Sequence, residues 1–195
     1  SGTYAQDIAP LVQAIATART LGARVVRTTV SGVLEGDRRS FGVQGWQRYL
    51  EALVEPLRRA MGMAEADGLK VGLENHQDAG SEELLWLCDQ VGSSLLGVTM
   101  DVANALAVGE TPEAFAERVL PRLHHVHLKD YTVHPTPSGY RLKRCALGDG
   151  VVDWPTMLAR FDASAPAVGG CIELGATHAR HIRILEQDYW AAYPP

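Results

Sequence analysis

Leu69-Lys-Val-Gly-Leu-Glu-Asn-His76 and Leu96-Gly-Val-Thr-Met-Asp-Val-Ala-Asn104 each read as a buried strand ending on a carboxylate. His125-Val-His-Leu-Lys-Asp130 and Gly169-Gly-Cys-Ile-Glu-Leu174 repeat the plan with a histidine and a glutamate. An apolar run needs no charge at its end, and a charge there is costly unless it is paired or bound to a metal. Parallel strands joined by helices bring their C-terminal ends to one face of a sheet or barrel, so Glu74, Asp101, His127 and Glu173 can converge although they lie far apart in sequence. Two glutamates, an aspartate and a histidine suit one hard or borderline divalent ion such as Mn²⁺, Mg²⁺, Co²⁺ or Zn²⁺. The plain alternative makes the glutamates exposed strand ends, and one of His125 and His127 a hydrogen-bonded core histidine.

The rest of the chain repeats a helix-strand plan around these segments. Tyr4 to Leu21 carries Ile8, Leu11, Val12 and Ile15 at helical spacing, and Gly22 caps that helix before the β-branched run Arg24 to Val30. Ser31 to Gly45 has no periodicity and reads as a loop, whereas Leu50, Leu53, Val54, Leu57 and Met61 place a helix over Trp46 to Asp67. Ser81 serves as the N-cap of the next helix, with Glu82 and Glu83 in its first turn, and Thr111-Pro-Glu starts another that runs to about Val119. A strand at His124 to Lys129 leads into a long Gly-, Pro- and Arg/Lys-rich loop, Tyr131 to Gly150. A helix near Trp154, a strand at Val168 to Leu174 and a last helix from about His178 to Ala191 complete the chain. Strands alternating with helices predict a parallel sheet with helices outside it. Five such units make either an open five-stranded α/β fold or the C-terminal five-eighths of an eightfold barrel.

Composition narrows the class. The 195 residues are 46% hydrophobic and 21% charged, enough for one sizeable core, and no linker divides them, so residues 1–195 form a single domain. Cys88, Cys145 and Cys171 are odd in number, widely spaced and without a CxxC pair, which argues against a disulfide framework and for a reducing, cytoplasmic home. No apolar stretch reaches the roughly 18 to 20 residues of a membrane span, and the first residues lack the pattern of a signal peptide. A net charge of −5 without a Lys/Arg stripe argues against a nucleic-acid partner. GxSxG, GxxxxGK[ST] and strand-borne GxGxxG motifs are absent, so serine hydrolysis, nucleotide phosphates and dinucleotides find no support. Gly148-Asp-Gly150 is a tight turn, too short and acidic to cradle phosphate.

Taken in order, Leu73-Glu-Asn-His76, Met100-Asp-Val-Ala-Asn104, Val126-His-Leu-Lys-Asp130, Ala146-Leu-Gly-Asp-Gly-Val-Val-Asp-Trp154 and Ile172-Glu-Leu174 resemble the xylose isomerase-like TIM barrels. That family includes sugar isomerases, ketose 3-epimerases, inosose dehydratases and the endonuclease IV type of repair enzyme. The resemblance covers nearly the whole chain and implies an α/β fold, a partial (β/α)8 TIM barrel that lacks the first three strands. It also implies that Glu74, Asp101, His127 and Glu173 are the four metal ligands. Two departures separate the chain from the ketose 3-epimerase pattern: Asn104 stands where those enzymes tend to have His, and Val133 where they have Arg. The loop from Tyr131 to Gly148 is closer to the broad bacterial sugar phosphate isomerase/epimerase group.

Two glutamates facing each other across a metal fit proton transfer at a carbon next to a carbonyl. The leading expectation is therefore a divalent-metal-dependent sugar or polyol epimerase or isomerase with Glu74 and Glu173 as catalytic acid and base. A sugar or inosose-type dehydratase and a non-catalytic barrel remnant that only binds a ligand or partner are the alternatives. His76 and Asn104 suit substrate hydroxyls, and Lys129 shares the face of His127 and suits substrate oxygen or phosphate. Arg141 and Arg144 are candidates for a basic lid over an anionic sugar, against plain solvation; His134 and His178 read as surface residues. An open barrel also leaves the edge of Arg24 to Val30 unpaired, so another segment, a partner or a second copy of the chain in a homo-oligomer is expected to cover it.

Overall fold

The computed structural model describes residues 8–31, 35–173, 179–191 and 193. Helix α1 (Ala9–Leu21) precedes strand β1 (Val25–Thr29), α2 (Glu35–Ala66) precedes β2 (Lys70–Glu74), α3 (Ser81–Val91) precedes β3 (Leu96–Asp101), and α4 (Pro112–Val119) precedes β4 (Leu123–Leu128). An antiparallel hairpin of β5 (Asp130–Thr136) and β6 (Gly139–Cys145) then comes before α5 (Trp154–Ser164), β7 (Gly169–Ile172), β8 (Arg180–Ile182) and the short α6 (Gln187–Trp190). Strands β1, β2, β3, β4 and β7 pair in that order, all parallel, into a curled half-barrel sheet. Of the two expected architectures, the partial barrel is the one observed.

Burial explains the sheet. All six residues of β3 and the last four of β2 are buried, as expected of parallel strands covered on both faces. Helices α1 to α4 pack against these strands. Leu11, Ile15 and Ala18 of α1, and Leu50, Leu53, Leu57, Met61 and Ala64 of α2, supply apolar stripes at helical spacing. Buried Arg38 locks α2 to α3 by a two-pronged pair with Glu83, at 2.6 and 2.7 Å, and the Trp46 indole donates to the same carboxylate at 3.1 Å. No helix among the described residues is long and apolar enough to cross a membrane, and all three cysteines are free.

Four expectations need correction. The stretch Tyr131 to Gly150 is a β-hairpin followed by a short turn: Tyr131 and Leu142 alternate inward while the outer side chains stay polar, and that half-solvated alternation is masked in sequence by Pro135, Pro137 and the basic residues. Ser31 to Gly45 is not a loop throughout, because α2 starts at Glu35 and merely kinks at Gly42. The helix expected from His178 to Ala191 is not found among the described residues 179–191; β8 adds to β6 there, and α6 is only four residues long. Finally, Gly80 is the N-cap of α3, and Ser81, one residue inside, gives its hydroxyl hydrogen to Glu110 at 2.6 Å. His178 lies outside the described residues, whereas His134 is exposed on β5. The outer edge of β1 meets no further strand among the described residues, yet its apolar face is covered: Val26 and the following Val30 are buried in the core.

Close approach of β3 to the chain entering β4 depends on Gly97. A Cβ there would lie 2.2 Å from the Arg122 carbonyl oxygen and 2.6 Å from the His124 ring. Gly97→Ala is expected to cost about 1 to 3 kcal/mol of stability through this overpacking. Urea unfolding checks it: an unchanged midpoint would mean that the two strands separate freely.

Candidate metal centre and catalytic site

The four strand-end residues meet. One ligand atom from each of Glu74, Asp101, His127 and Glu173 lies within 4.8 Å of all the others. Glu74 and Asp101 are the last residues of β2 and β3, His127 is the penultimate residue of β4, and Glu173 directly follows β7. The Glu173 amide donates to the Leu128 carbonyl at 3.0 Å, which extends the β4–β7 pairing by one step and fixes the side chain beside His127. Pairing of Asp101 with His127 and of His127 with Cys171 sets the register, and the strand period of two turns 127, 129, 171 and 173 to the same side.

Charge and burial are in tension here. Glu74 and Asp101 are buried at 1% and 0% exposure. His127 Nδ1 lies 3.0 Å from Glu74 Oε1 and 3.1 Å from Glu173 Oε2. Lys129, itself buried, pairs with Asp101 Oδ2 and reaches Glu173 Oε1 at 3.1 Å. Arg27 pairs with Glu74 Oε2, and Arg144 stands 3.5 Å from Glu173 Oε1. The shifts follow from these contacts. Hydrogen bonds to Glu173 and Glu74 push His127 up to about 10. The bond from His127 holds Glu173 down at about 2, against its partial burial and with help from Lys129. Burial pushes Glu74 up, but His127 and Arg27 outweigh it and leave the carboxyl below its ordinary value. In Asp101 burial wins over Lys129 and raises the carboxyl to about 7. Burial pulls Lys129 down, yet the Asp101 charge beside it leaves the ammonium above its usual value.

The donor set fits a divalent cation. Asp101 Oδ1 is a buried carboxylate oxygen without a hydrogen-bond partner, an expensive arrangement unless something positive completes it. Three carboxylates and an imidazole also match the oxygen and nitrogen preference of such an ion.

His76 is half-buried beside Glu74 with an unpartnered, buried Nδ1, and burial holds its basicity below the usual value. Asn104 stands behind Asp101: its amide donates to Asp101 Oδ2 at 2.6 Å and to the Asn75 carbonyl at 3.1 Å, and its oxygen accepts from Gln77 and Tyr131. Those four bonds use its full capacity, so it orients Asp101. Lys129 and Arg144 reach the site; Arg141, an odd number of residues from Arg144 along β6, is exposed on the other face of the hairpin.

Sequence reading missed Arg27, Asn75 and Asp130. A charge inside the β-branched run Val25-Val26-Arg27-Thr28 was the available signal for the first. Asn75 clamps the end of β3, donating to the Asp101 carbonyl at 2.9 Å and accepting from the Asp101 amide at 2.6 Å. Nothing local announces that role. The Asp130 carboxylate accepts from the amides of Tyr131, Gly148, Gly150 and Val152 and from the Trp154 indole, at 2.9 to 3.3 Å, and so folds the turn after β6 against the end of β4. A Cβ on Gly150 would fall 2.0 Å from Asp130 Oδ1, which explains the glycine.

The chain belongs to the xylose isomerase-like TIM barrel family, whose sequence profile matches residues 2–180. It is 26% identical over 103 residues to the 3-oxo-isoapionate decarboxylase of Pectobacterium atrosepticum, covering 52% of this chain and 38% of that protein. It is 30% identical over 83 residues to an inosose dehydratase of Bacillus anthracis, covering 41% and 28%. A xylose isomerase-like TIM barrel protein from Mycobacterium smegmatis, solved in complex with magnesium, superposes with a TM-score of 0.73 at 18% identity, over 95% of this chain and 65% of that one. The chain thus spans less than half the length of these two curated relatives.

A cation that takes the His127 nitrogen must displace its proton. Because His127 titrates at about 10, the imidazole is protonated at neutral pH, and binding is expected to release about one proton and to tighten as pH rises toward that value. Calorimetric titration of Mn²⁺ at pH 7.5 in buffers of different ionisation enthalpy measures this directly. Binding without proton release would remove His127 from the ligand set.

Proposed function

We propose that this chain carries the site of a divalent-metal-dependent sugar or polyol epimerase or isomerase that moves a proton at a carbon beside a carbonyl. The observation supporting it is the convergence of Glu74, Asp101, His127 and Glu173 to within 4.8 Å, with the two glutamates on strands separated by the two that carry the other ligands. Held by these four residues, an ion such as Mn²⁺, Mg²⁺, Co²⁺ or Zn²⁺ would supply Lewis acidity to the carbonyl and its neighbouring hydroxyl, stabilising the enediolate by several kcal/mol.

The residues of the chain do the proton work. Glu74 and Glu173 are held ionised by His127 and by their cationic neighbours, so each starts as an acceptor. One glutamate takes the substrate proton on one face, while the other takes a proton from solvent water and returns it to the carbon on the opposite face, the first then losing its proton to solvent. Lys129, 3.1 Å from Glu173 Oε1, stays charged and orients that carboxylate. Asn104 and Asn75 hold Asp101 in place, and His76, half-buried beside Glu74, is the candidate partner of a substrate hydroxyl. Lys129 and Arg144 contact substrate oxygens from the hairpin side; Arg141, on the outer face, joins only at the rim.

Dehydration is the second reading, and one of the two curated relatives, the inosose dehydratase, supports it. It shares the first proton abstraction and differs in expelling a hydroxyl, with its proton, from the neighbouring carbon. A remnant that only binds a partner has no need of four such groups in register.

Exchange of substrate α-protons with deuterium from solvent, followed by NMR across ketohexoses, ketopentoses and inososes with Mn²⁺ present, tests both enzymatic readings. Glu74→Gln and Glu173→Gln are each expected to lower exchange by at least about 10²-fold while the protein stays folded. Wild-type exchange in either variant would rule out the two-glutamate mechanism.

A further inference from the structure

The cations around the site are in excess of what a metal-holding cluster needs. Glu74, Asp101 and Glu173 are the three carboxylates, and each already touches a side-chain cation: Arg27 on Glu74, Lys129 on Asp101 and Glu173, Arg144 on Glu173. Charge balance is therefore complete before any metal enters, even with His127 neutral. Among the described residues no further carboxylate contacts the cluster: Asp130 is occupied by five N–H donors, and Asp78 by Ser31 and the Ala79 amide. A divalent ion on the four ligands leaves about two positive charges uncompensated beside the buried Glu74, Asp101 and His127. Uncompensated charge of that size is costly in low dielectric and draws in an anion.

The open donors point to where that anion sits. The Arg27 side chain is 47% exposed and meets Glu74 through one of its two terminal nitrogens, and that of Arg144, 26% exposed, divides its contacts between Glu173 and Tyr131; each guanidinium has five N–H groups and keeps donors to spare. They approach the carboxylate cluster from two sides, Arg27 from β1 and Arg144 from β6. Their remaining donors match the planar oxygens of a carboxylate or the tetrahedral oxygens of a phosphate.

We propose that the substrate is an anionic sugar or polyol, carrying a carboxylate or a phosphate that Arg27 and Arg144 bind, and that this anion and the metal ion bind cooperatively. The inference rests on the metal-site reading above and deepens it. Because coupling between two ligands is reciprocal, the anion must raise metal affinity by the factor by which the metal raises anion affinity.

Mn²⁺ binding, read from the EPR signal of the free ion, supplies the test without any assay of turnover. The protein is titrated with Mn²⁺ alone and with saturating D-gluconate, sorbitol 6-phosphate or sorbitol, each paired with a protein-free control for chelation. The expected result is roughly 10- to 100-fold tighter Mn²⁺ binding with at least one of the two anions and no change with sorbitol. Tightening by gluconate alone assigns a sugar acid, and by the phosphate alone a phosphate ester. Arg144→Gln should retain Mn²⁺ binding and lose most of the coupling. Equal Mn²⁺ affinity in all four conditions, or coupling unchanged in Arg144→Gln and Arg27→Gln alike, overturns the proposal and leaves the metal site standing. No Mn²⁺ binding at all overturns the metal-site reading and this inference with it.

Discussion

Asp101 is a carboxylate with no exposure to solvent at the end of a strand buried throughout its length, and the arrangement of its surroundings follows from that constraint. Removing such a group from water costs several kcal/mol unless other groups replace its hydration. Lys129 and Asn104 cover one oxygen, Asn75 ties its backbone to the neighbouring strand, and the other oxygen has no partner. A fold selected only for stability would put an apolar residue there. Keeping the charge has a consequence: Asp101 Oδ1 is left as a buried acceptor with no hydrogen-bond partner.

The same constraint makes the hairpin part of the site. β5 continues the chain immediately after Lys129, so the residue that neutralises Asp101 is also the hinge between the parallel sheet and the antiparallel one. Asp130 fixes that hinge by collecting the amides of the turn after β6, and Tyr131, next in line, reaches back to Asn104. Arg144 comes to Glu173 because the hairpin folds over the ends of the strands. The turn around Gly148 to Gly150, read in isolation as a plain reversal, is what aligns β6 for this approach.

Much of the sheet and the whole cluster of Glu74, Asp101, His127 and Glu173 were legible in the sequence. Parallel strands write themselves as short apolar runs, the side-chain period of two fixes which residues face one way, and a charged residue at the end of such a run stands out against it. The hairpin was hidden for the converse reason. Its outer face is solvated, so Pro135, Pro137 and the alternating Arg and Lys residues carry no apolar signature, and Tyr131 and Leu142 are too few to reveal a strand pair. The late strand β8 was missed because three residues that complete an existing sheet need no periodicity of their own.

By itself the sequence determined the parallel α/β plan and the four residues that converge, since both rest on local pattern and on the direction of the strands. The tertiary structure alone decided how that charge is balanced. Arg27 and Glu74 are 47 positions apart, Lys129 and Asp101 are 28 apart, and Asn104 serves Asp101 instead of standing free. Such pairings depend on register between strands and on a hairpin folding back over them. No local spacing encodes either of these, because the partners are chosen by where the chain returns in space and by the cost of leaving a buried charge alone.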